Sequence, residues 1–347
     1  MWQTTGQSEA LAMFEYSLRA DNLAHAYLFA GPPHIGKTTL AIDLARALNC
    51  PEAEPPCGKC QSCHRIASGK HADITIISLT SSTNSKETKQ RTEISIDDIK
   101  ELQHSASLPP YEGKHKVFII DGAEYLSNEA SNCLLKILEE PPPQVIILLL
   151  TAEETRLLPT VISRCQRVEL KPVSSGEIEK IIIQSQDIDG DKAKLLARLS
   201  QGCLGWALMS SIDSSYIEQR TRRLTEMLPL LYARWEDRFT YAAKFGNDRK
   251  QIEEIIKLWL SWWRDVMLTK CSCAQAVTNI DYTSILEEWA QKLTIQEIKD
   301  FIDSMLQSLS HISRNANLRL VLEILMLDMP RKEEKAGFEM SSIPANL

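Results

Sequence analysis

Short apolar runs alternate with stretches of helical periodicity over residues 1–170. This alternation is typical of βαβ units and predicts a mainly parallel sheet with helices on both faces. The predicted strands are Ala26–Ala30, Ile74–Ser78, Lys116–Ile120 and Val145–Leu150.

The helices predicted between these strands are Lys37–Leu48, Ile96–Ser107 and Asn128–Glu139. Ser95 stands before the second helix as an N-cap, with acidic residues in the first turn. The sequence EEPPPQ ends the third helix, because proline cannot continue a helix.

Strand patterns disappear after residue 170, and helical spacing takes over. We therefore predict an α/β domain over 1–170, a small helical domain over 171–211 and a larger helical domain over 212–330. In the larger domain Ile255, Trp259, Trp262 and Trp263 repeat at helical spacing. This spacing favours a core face over the alternative, a surface that stacks on nucleic-acid bases.

Two polar segments lack any periodicity. The run at 80–93 predicts a mobile surface loop, and the segment at 331–347 predicts a disordered tail.

The composition, 44% hydrophobic and 24% charged, is that of an ordinary globular protein. The longest apolar run, Val145–Leu150, is too short to span a bilayer, and no secretory signal is apparent at the start of the chain. We therefore expect a cytoplasmic protein with no membrane partner. A net charge of −7 argues against broad, non-specific wrapping of nucleic acid.

The sequence GPPHIGKT, from Gly31 to Thr38, matches the phosphate-loop pattern between a predicted strand and a predicted helix. Backbone N–H groups and the helix N-terminus would hold phosphates there. Lys37 would neutralise the β and γ phosphates, and Thr38 would bind Mg²⁺. The predicted nucleotide-binding residues of this segment are Gly31, Gly36, Lys37, Thr38 and Thr39. The alternative is a chance glycine turn before a helix.

Four of the nine cysteines follow the phosphate-loop helix at C-x6-C-x2-C-x2-C spacing, over residues 50–63. This cluster, Cys50, Cys57, Cys60 and Cys63, predicts a structural Zn²⁺ site that is closed to catalytic water. Two alternatives are His64 as a ligand in place of Cys63, and reduced thiols that hold no metal.

The strand KVFIID delivers Asp121 at its end, as a buried strand does when its carboxylate serves Mg²⁺. A glycine, Gly122, follows it.

Taken in order, HAYLFAGPPHIGKTTLA, the four cysteines, the polar run, NCLLKILEEPPP, VISRC and NANLRLVLEILML resemble the AAA+ clamp-loader family of bacterial replication along essentially the whole chain. The resemblance implies an AAA+ domain with a zinc-binding insertion, a helical lid and a helical oligomerisation collar. It also implies ATP or ADP with Mg²⁺ as ligands, and membership of the DNA polymerase III holoenzyme. The implied partners are gamma/tau and delta subunits, the sliding clamp and, through the complex, primer–template DNA.

Two subunit types of that family carry such an N-terminal region, the ATP-hydrolysing motor (gamma/tau) and the stator (delta prime). The motor carries Asp-Glu-x-His where this chain has Asp121-Gly122-Ala123-Glu124, so the resemblance implies weak or absent ATPase activity. For Glu124 we favour a solvated or salt-bridged carboxylate. Gly205 stands where the motor has a lid arginine. Motor subunits also extend further past the collar.

Other features of the family pattern are retained. Arg164, in SRC, would act as an arginine finger on the γ-phosphate of a neighbouring subunit, with a surface ion pair as the alternative. Thr151 would sense the γ-phosphate, although Ala152 could hold that place.

We therefore expect a stator. The main alternative is a gamma-type ATPase motor, and a third is a stand-alone zinc-containing DNA-binding protein, which the acidic balance disfavours.

Overall fold

The computed structural model describes residues 1–79, 91–186, 188–246 and 248–331. Most of the polar run at 80–93 and nearly all of the segment at 331–347 lie outside these ranges. The chain divides into two compact units, 1–177 with 202–206, and 178–201 with the residues from 207 onward. Two of the three points of division fall within helices, and the predicted boundary at 170 stays a prediction. The predicted separation of 171–211 from 212–330 stays a prediction.

The first unit contains a five-stranded parallel sheet of order β2-β3-β4-β1-β5. The strands are β1 (Ala26–Ala30), β2 (Ile74–Ile77), β3 (Lys116–Asp121), β4 (Val145–Thr151) and β5 (Gln166–Glu169). The predicted parallel sheet is thus confirmed, with β5 in addition. Because parallel strands point the same way, the segments that follow β1, β3 and β4 emerge at one edge of the sheet.

Alternating residues of each central strand enter two different hydrophobic layers. In β1, Tyr27 and Phe29 pack in one layer with the helices that precede and follow the strand, whereas Leu28 packs in the other layer with the helices that begin at Ile96 and Asn128. Every residue of β1 is buried, because helices cover both faces. The helices of this unit are α1 (Ser8–Arg19), α2 (Lys37–Asn49), α3 (Gln61–Ala67), α4 (Ile96–Ala106), α5 (Asn128–Glu139) and α6 (Pro159–Ile162).

The predicted helices begin where the sequence signals place them. Ser95 caps α4 through a capping box with Asp98, and α5 spans the predicted residues before the three prolines. The sequence did not reveal α1 or β5.

The second unit is helical, and none of its described residues forms a strand. Trp259, Trp262 and Trp263 are fully buried in its core with Phe301, so the core interpretation of the tryptophan face is confirmed. The helices assigned to this unit or crossing into it are α7 (Ser175–Ser185), α8 (Gly190–Leu199), α9 (Leu204–Ile212), α10 (Ser215–Met227), α11 (Trp235–Ala243), α12 (Arg249–Lys270), α13 (Thr283–Lys292), α14 (Ile295–Ser313) and α15 (Leu318–Asp328).

Within that unit α12 packs against α13 and α14, and α15 packs against α11 and α14. Arg238 is buried and donates hydrogen bonds to four backbone carbonyls, among them those of Met326 and Met329 at the end of α15. Its guanidinium therefore supplies donors to carbonyls that the helix leaves unpaired at its C-terminus. None of the helices in the described ranges has the length and hydropathy needed to cross a bilayer.

Candidate nucleotide site and metal centre

The loop between β1 and α2 has the geometry of a phosphate loop. Gly36 adopts a left-handed backbone conformation (φ +108°) as the N-cap of α2, and no side chain caps the helix there. The first N–H groups of a helix have no partner within the helix and bind anions readily. An anion at this loop would also meet the positive end of the helix dipole.

Lys37 is the first residue of α2 and is largely buried. Its Nζ donates hydrogen bonds to the carbonyl oxygens of Gly31 at 2.7 Å and Pro32 at 2.9 Å. Burial lowers the pKa of Lys37, and the nearby carboxylates of Glu124 and Asp121 partly oppose that shift. The lysine is thus folded back onto its own loop, from which it can turn to a phosphate.

Thr38 and Asp121 come together although 83 positions separate them. The Thr38 hydroxyl donates to Asp121 Oδ2 at 3.0 Å, at the point where β3 ends. A hydroxyl and a carboxylate so placed are the donor set that P-loop proteins use for a Mg²⁺–nucleotide complex.

A cavity of about 560 Å³ opens at this edge of the sheet, within the range of small-ligand sites. It is lined by Pro33, His34, Gly36, Lys37, Thr38, Thr39, Ser78, Leu79, Asp121, Gly122, Glu124, Tyr125, Leu150, Ala152, Glu153 and Gly205. Five of the predicted nucleotide-site residues are among them. Gly31 and Thr151 are not, although the Gly31 carbonyl contacts Lys37. The donor set and the cavity fit a magnesium nucleotide.

Gly122 lies next to Asp121 in a left-handed conformation, with φ of +85°. A Cβ added there would stand 2.8 Å from the Tyr125 ring. Non-glycine residues pay a steric penalty in this backbone conformation. The backbone at position 122 therefore favours glycine. The motor subunits of the resembled family have a glutamate at this position.

Gly205 is in close contact with the phosphate loop. Its N–H donates to the His34 carbonyl at 3.0 Å, and an added Cβ would stand 2.8 Å from that oxygen. Real Cβ atoms essentially never approach backbone that closely. With this backbone arrangement, no arginine can occupy position 205.

The end of β4 presents Ala152 to the cavity rather than Thr151. Thr151 is buried, and its Oγ1 accepts a hydrogen bond from the Glu153 N–H at 3.1 Å. The alternative register, with Ala152 at the sensor position, agrees better with this geometry, and the sensor role of Thr151 stays a prediction.

Glu124 is not the solvated or salt-bridged carboxylate that the sequence favoured. Its Oε1 accepts a hydrogen bond from the Ala152 N–H at 3.2 Å. Its Oε2 is buried and has no hydrogen-bond partner among the described residues. The sequence interpretation was wrong because the carboxylate turns inward to an amide 28 positions away, at the end of β4.

Arg164 follows α6 and is about one-third exposed. Its Nη2 forms an ion pair with Glu139 Oε1 at 2.7 Å, and its Nη1 donates to the Thr160 carbonyl at 3.0 Å. It does not line the described cavity, and its role as an arginine finger stays a prediction.

The four clustered cysteines converge on one point. Their Sγ atoms all lie within 4.8 Å of one another, and those of Cys57 and Cys63 are 4.0 Å apart. Tetrahedral Zn²⁺ with Zn–S distances of about 2.3 Å requires sulfurs about 3.8 Å apart. The backbone N–H groups of Lys59 and Cys60 lower the pKa of Cys57 to about 6, whereas burial raises that of Cys63 to about 12. The cluster fits zinc, and the converging set contains Cys63 rather than His64.

The fold and the loop define a P-loop α/β domain of the AAA+ type, followed by a helical region. Residues 6–174 match the family model "DNA polymerase III, delta subunit", and residues 215–330 match "DNA polymerase III, delta subunit, C terminal". The chain belongs to this clamp-loader family of DNA polymerase III subunits.

The chain is also similar to several individual proteins. The chain is 28% identical over 328 residues to the DNA polymerase III subunit delta' of Bacillus subtilis, covering 92% of this chain and 95% of that protein. It is 27% identical to the subunit tau/gamma of Haemophilus influenzae, covering 93% of this chain and 48% of that protein. The chain thus spans about half the length of the latter. A gamma subunit-related protein of Thermotoga maritima superposes with a TM-score of 0.46 at 18% identity, over 90% of this chain and 97% of that one.

Proposed function

We propose that this chain is a delta prime-type stator of the DNA polymerase III clamp loader, which helps to load the sliding clamp onto primed DNA. The observation that carries the proposal is the backbone at Gly122. The residue after the magnesium-binding aspartate lacks a carboxylate and adopts a conformation that disfavours one. A subunit of this design binds nucleotide without efficient hydrolysis of its own.

Several residues of the chain would hold the nucleotide. Lys37 would leave the Gly31 and Pro32 carbonyls and bind the β-phosphate region, while Thr38 and Asp121 would hold Mg²⁺. Bound Mg²⁺ would neutralise phosphate charge. The amides of the phosphate loop orient the phosphates through their N–H groups.

Arg164 would act in trans on a neighbouring motor subunit. Its ion pair with Glu139 is partly exposed, and such pairs contribute only about 0–1 kcal/mol, so a competing phosphate can release the guanidinium. An arginine finger of this kind contributes on the order of 10³–10⁵ to the hydrolysis rate.

The C-terminal helices offer a surface for assembly. Leu320, Ile324 and Leu327 lie at helical spacing on α15 and are each about half exposed. Such a row supports packing against partner helices in a collar. The partners under this proposal are gamma/tau and delta subunits, the sliding clamp and primer–template DNA, in the cytoplasm. Zinc at the four cysteines has a structural role.

A gamma-type motor is the second candidate, because the phosphate loop and the Thr38–Asp121 contact are intact and the chain also matches tau/gamma proteins. Hydrolysis by the isolated chain separates the two. The stator predicts turnover near background. Turnover at motor rates that Lys37→Ala abolishes would establish the motor and exclude the stator.

The trans role is tested in the reconstituted complex. Arg164→Ala should lower the ATPase rate of the complex by at least tenfold while assembly stays intact. Arg167→Ala is the matched control, because Arg167 is an exposed arginine on β5 that pairs with Glu154 and Glu169. Equal rates for the two mutant complexes and wild type would refute the proposed finger.

A further inference from the structure

The nucleotide cavity is lined by more negative than positive side chains. Asp121, Glu124 and Glu153 contribute carboxylates, whereas Lys37 is the one lysine or arginine that lines it within the described residues. One carboxylate, Asp121, is already paired with Thr38 in the magnesium donor set. The other two have no such role, and they differ in exposure. Glu153 is largely in solvent, whereas the Glu124 carboxylate is held inside.

The Glu124 carboxylate is fixed in place by its bond to the Ala152 amide. Its second oxygen has almost no solvent access and no hydrogen-bond partner among the described residues. A general base must reach the attacking water directly or through one water. Because Oε2 is buried and Oε1 is occupied by the Ala152 amide, we assign Glu124 the role of a fixed charge rather than that of a general base.

The placement of Lys37 and Asp121 in the same cavity indicates that this charge lies near the position of a third phosphate. The P-loop lysine binds the β and γ phosphates, and the magnesium ligand at the end of β3 lies beside the same groups. Glu124 follows Asp121 by three residues and is bonded to the end of β4, the strand next to β3. Among the neighbouring charges that raise the pKa of Lys37, the carboxylate of Glu124 makes the largest contribution.

Among the described residues that line the cavity, two positions lack side chains that could offset this charge. Ala152 offers no hydroxyl, and Gly205 has no room for a cationic side chain because its Cβ position meets the His34 carbonyl. Lys37 and the N-terminus of α2 serve a diphosphate and a triphosphate alike. Because Lys37 and Mg²⁺ already serve a diphosphate, the additional negative charge of a γ-phosphate meets Glu124 with no further lysine or arginine among the described lining residues.

We propose that Glu124 makes this site selective for a nucleoside diphosphate over the corresponding triphosphate. The inference rests on the nucleotide binding at the phosphate loop proposed above, and it names which nucleotide that site retains. A stator that keeps a diphosphate would stay in one nucleotide state while its neighbours turn over. Charges a few ångströms apart in a partly buried site change affinity on the order of tenfold.

Equilibrium binding to the full-length chain tests the proposal. Mg–ADP and Mg–ATP are titrated by calorimetry, with a non-hydrolysable ATP analogue in parallel. We expect ADP to bind about tenfold more tightly than ATP in wild type. Glu124→Gln keeps an oxygen acceptor for the Ala152 amide and removes the charge, so ATP affinity should rise until the two affinities agree within about threefold.

Glu153→Gln is the matched control. It removes a carboxylate from the same cavity, but one in solvent, where screening weakens its effect, so the ADP preference should persist. Equal or tighter binding of ATP by wild type, or an ADP preference unchanged in Glu124→Gln, would overturn the selectivity and leave the stator assignment standing. Binding of neither nucleotide would overturn both this proposal and the nucleotide-binding part of the function. If Glu124→Gln does not fold, the wild-type ratio still decides, and Glu124→Ala serves as the second variant.

Discussion

Gly122 and Gly205 leave two positions beside the cavity without side chains, and in each case the surrounding backbone resists a larger residue. Gly122 needs a left-handed conformation, and Gly205 needs the space that a Cβ would take from the His34 carbonyl. The two glycines therefore lack the functional groups of the motor subunits, and the local geometry also disfavours larger side chains at both positions. Restoring a motor-type side chain at either position would require the backbone to move.

We predict that Gly122→Glu does not restore hydrolysis. The left-handed conformation should cost about 1–2 kcal/mol in the free energy of unfolding, with the Tyr125 contact adding to it. Urea denaturation measures the stability, and phosphate release measures the hydrolysis.

Gly122→Ala is the control, because it introduces the same backbone strain without a carboxylate. A Gly122→Glu protein of wild-type stability that hydrolyses ATP at motor rates would contradict both parts of the prediction.

Helix α2 connects the nucleotide site with the cysteine cluster. Lys37 is its first residue, and Cys50 follows its last residue, Asn49. Arg46, near its end, is buried and paired with Asp43, and its Nη2 lies 3.1 Å from the position of a Cβ on Gly58. The chain segment that carries the cysteines is thus packed directly on the end of this helix.

We predict that the cysteine cluster holds one zinc ion per chain and that removing it unfolds the segment at 50–67. Helix α3 has only seven residues, too few for a stable isolated helix, and its buried residues include the ligand Cys63. Chelation or Cys57→Ser should lower the melting temperature and the zinc content measured by atomic absorption.

Cys271→Ser is the control, since Cys271 is an exposed free cysteine outside the cluster. Full zinc content in Cys57→Ser, or loss of zinc in Cys271→Ser, would argue against the assigned site.

At the scale of the whole molecule, the exposed row on α15 contrasts with the apolar core beneath it. Val321, Leu322 and Leu325 of the same helix are buried, whereas Leu320 and Ile324 face outward. An amphipathic helix would place polar residues on that outer face. The apolar residues there support the proposed packing of α15 against partner helices.

We predict that Ile324→Glu prevents co-assembly with gamma/tau and delta subunits. Burial of the introduced charge in an interface is costly, whereas in the free chain position 324 is about half exposed. Size-exclusion chromatography of the mixed subunits measures assembly, and circular dichroism checks the fold of the free chain.

Met209→Glu is the control, because Met209 is an exposed apolar residue on a different helix, α9. Normal assembly of the Ile324→Glu protein would contradict a collar role for α15.

Local patterns predicted the elements that are buried on both faces or bounded by strong caps. Strand Ala26–Ala30 and helix Asn128–Glu139 have the predicted bounds. By contrast, β5 was missed because it is an edge strand in which only Val168 is buried, so its sequence lacks a continuous apolar run. Helix α1 buries only Ala10 and Phe14, which is too weak a pattern to stand out.

The candidate site also combines features that local sequence patterns predict with features that depend on long-range contacts. The sequence by itself determined the phosphate loop and the cysteine cluster, because each places its functional groups within a few residues of one another. Tertiary structure decided that Glu124 turns inward to Ala152 and that Gly205 touches His34. These contacts join segments far apart in the chain, and their outcome depends on space and hydrogen-bond partners that no local pattern encodes.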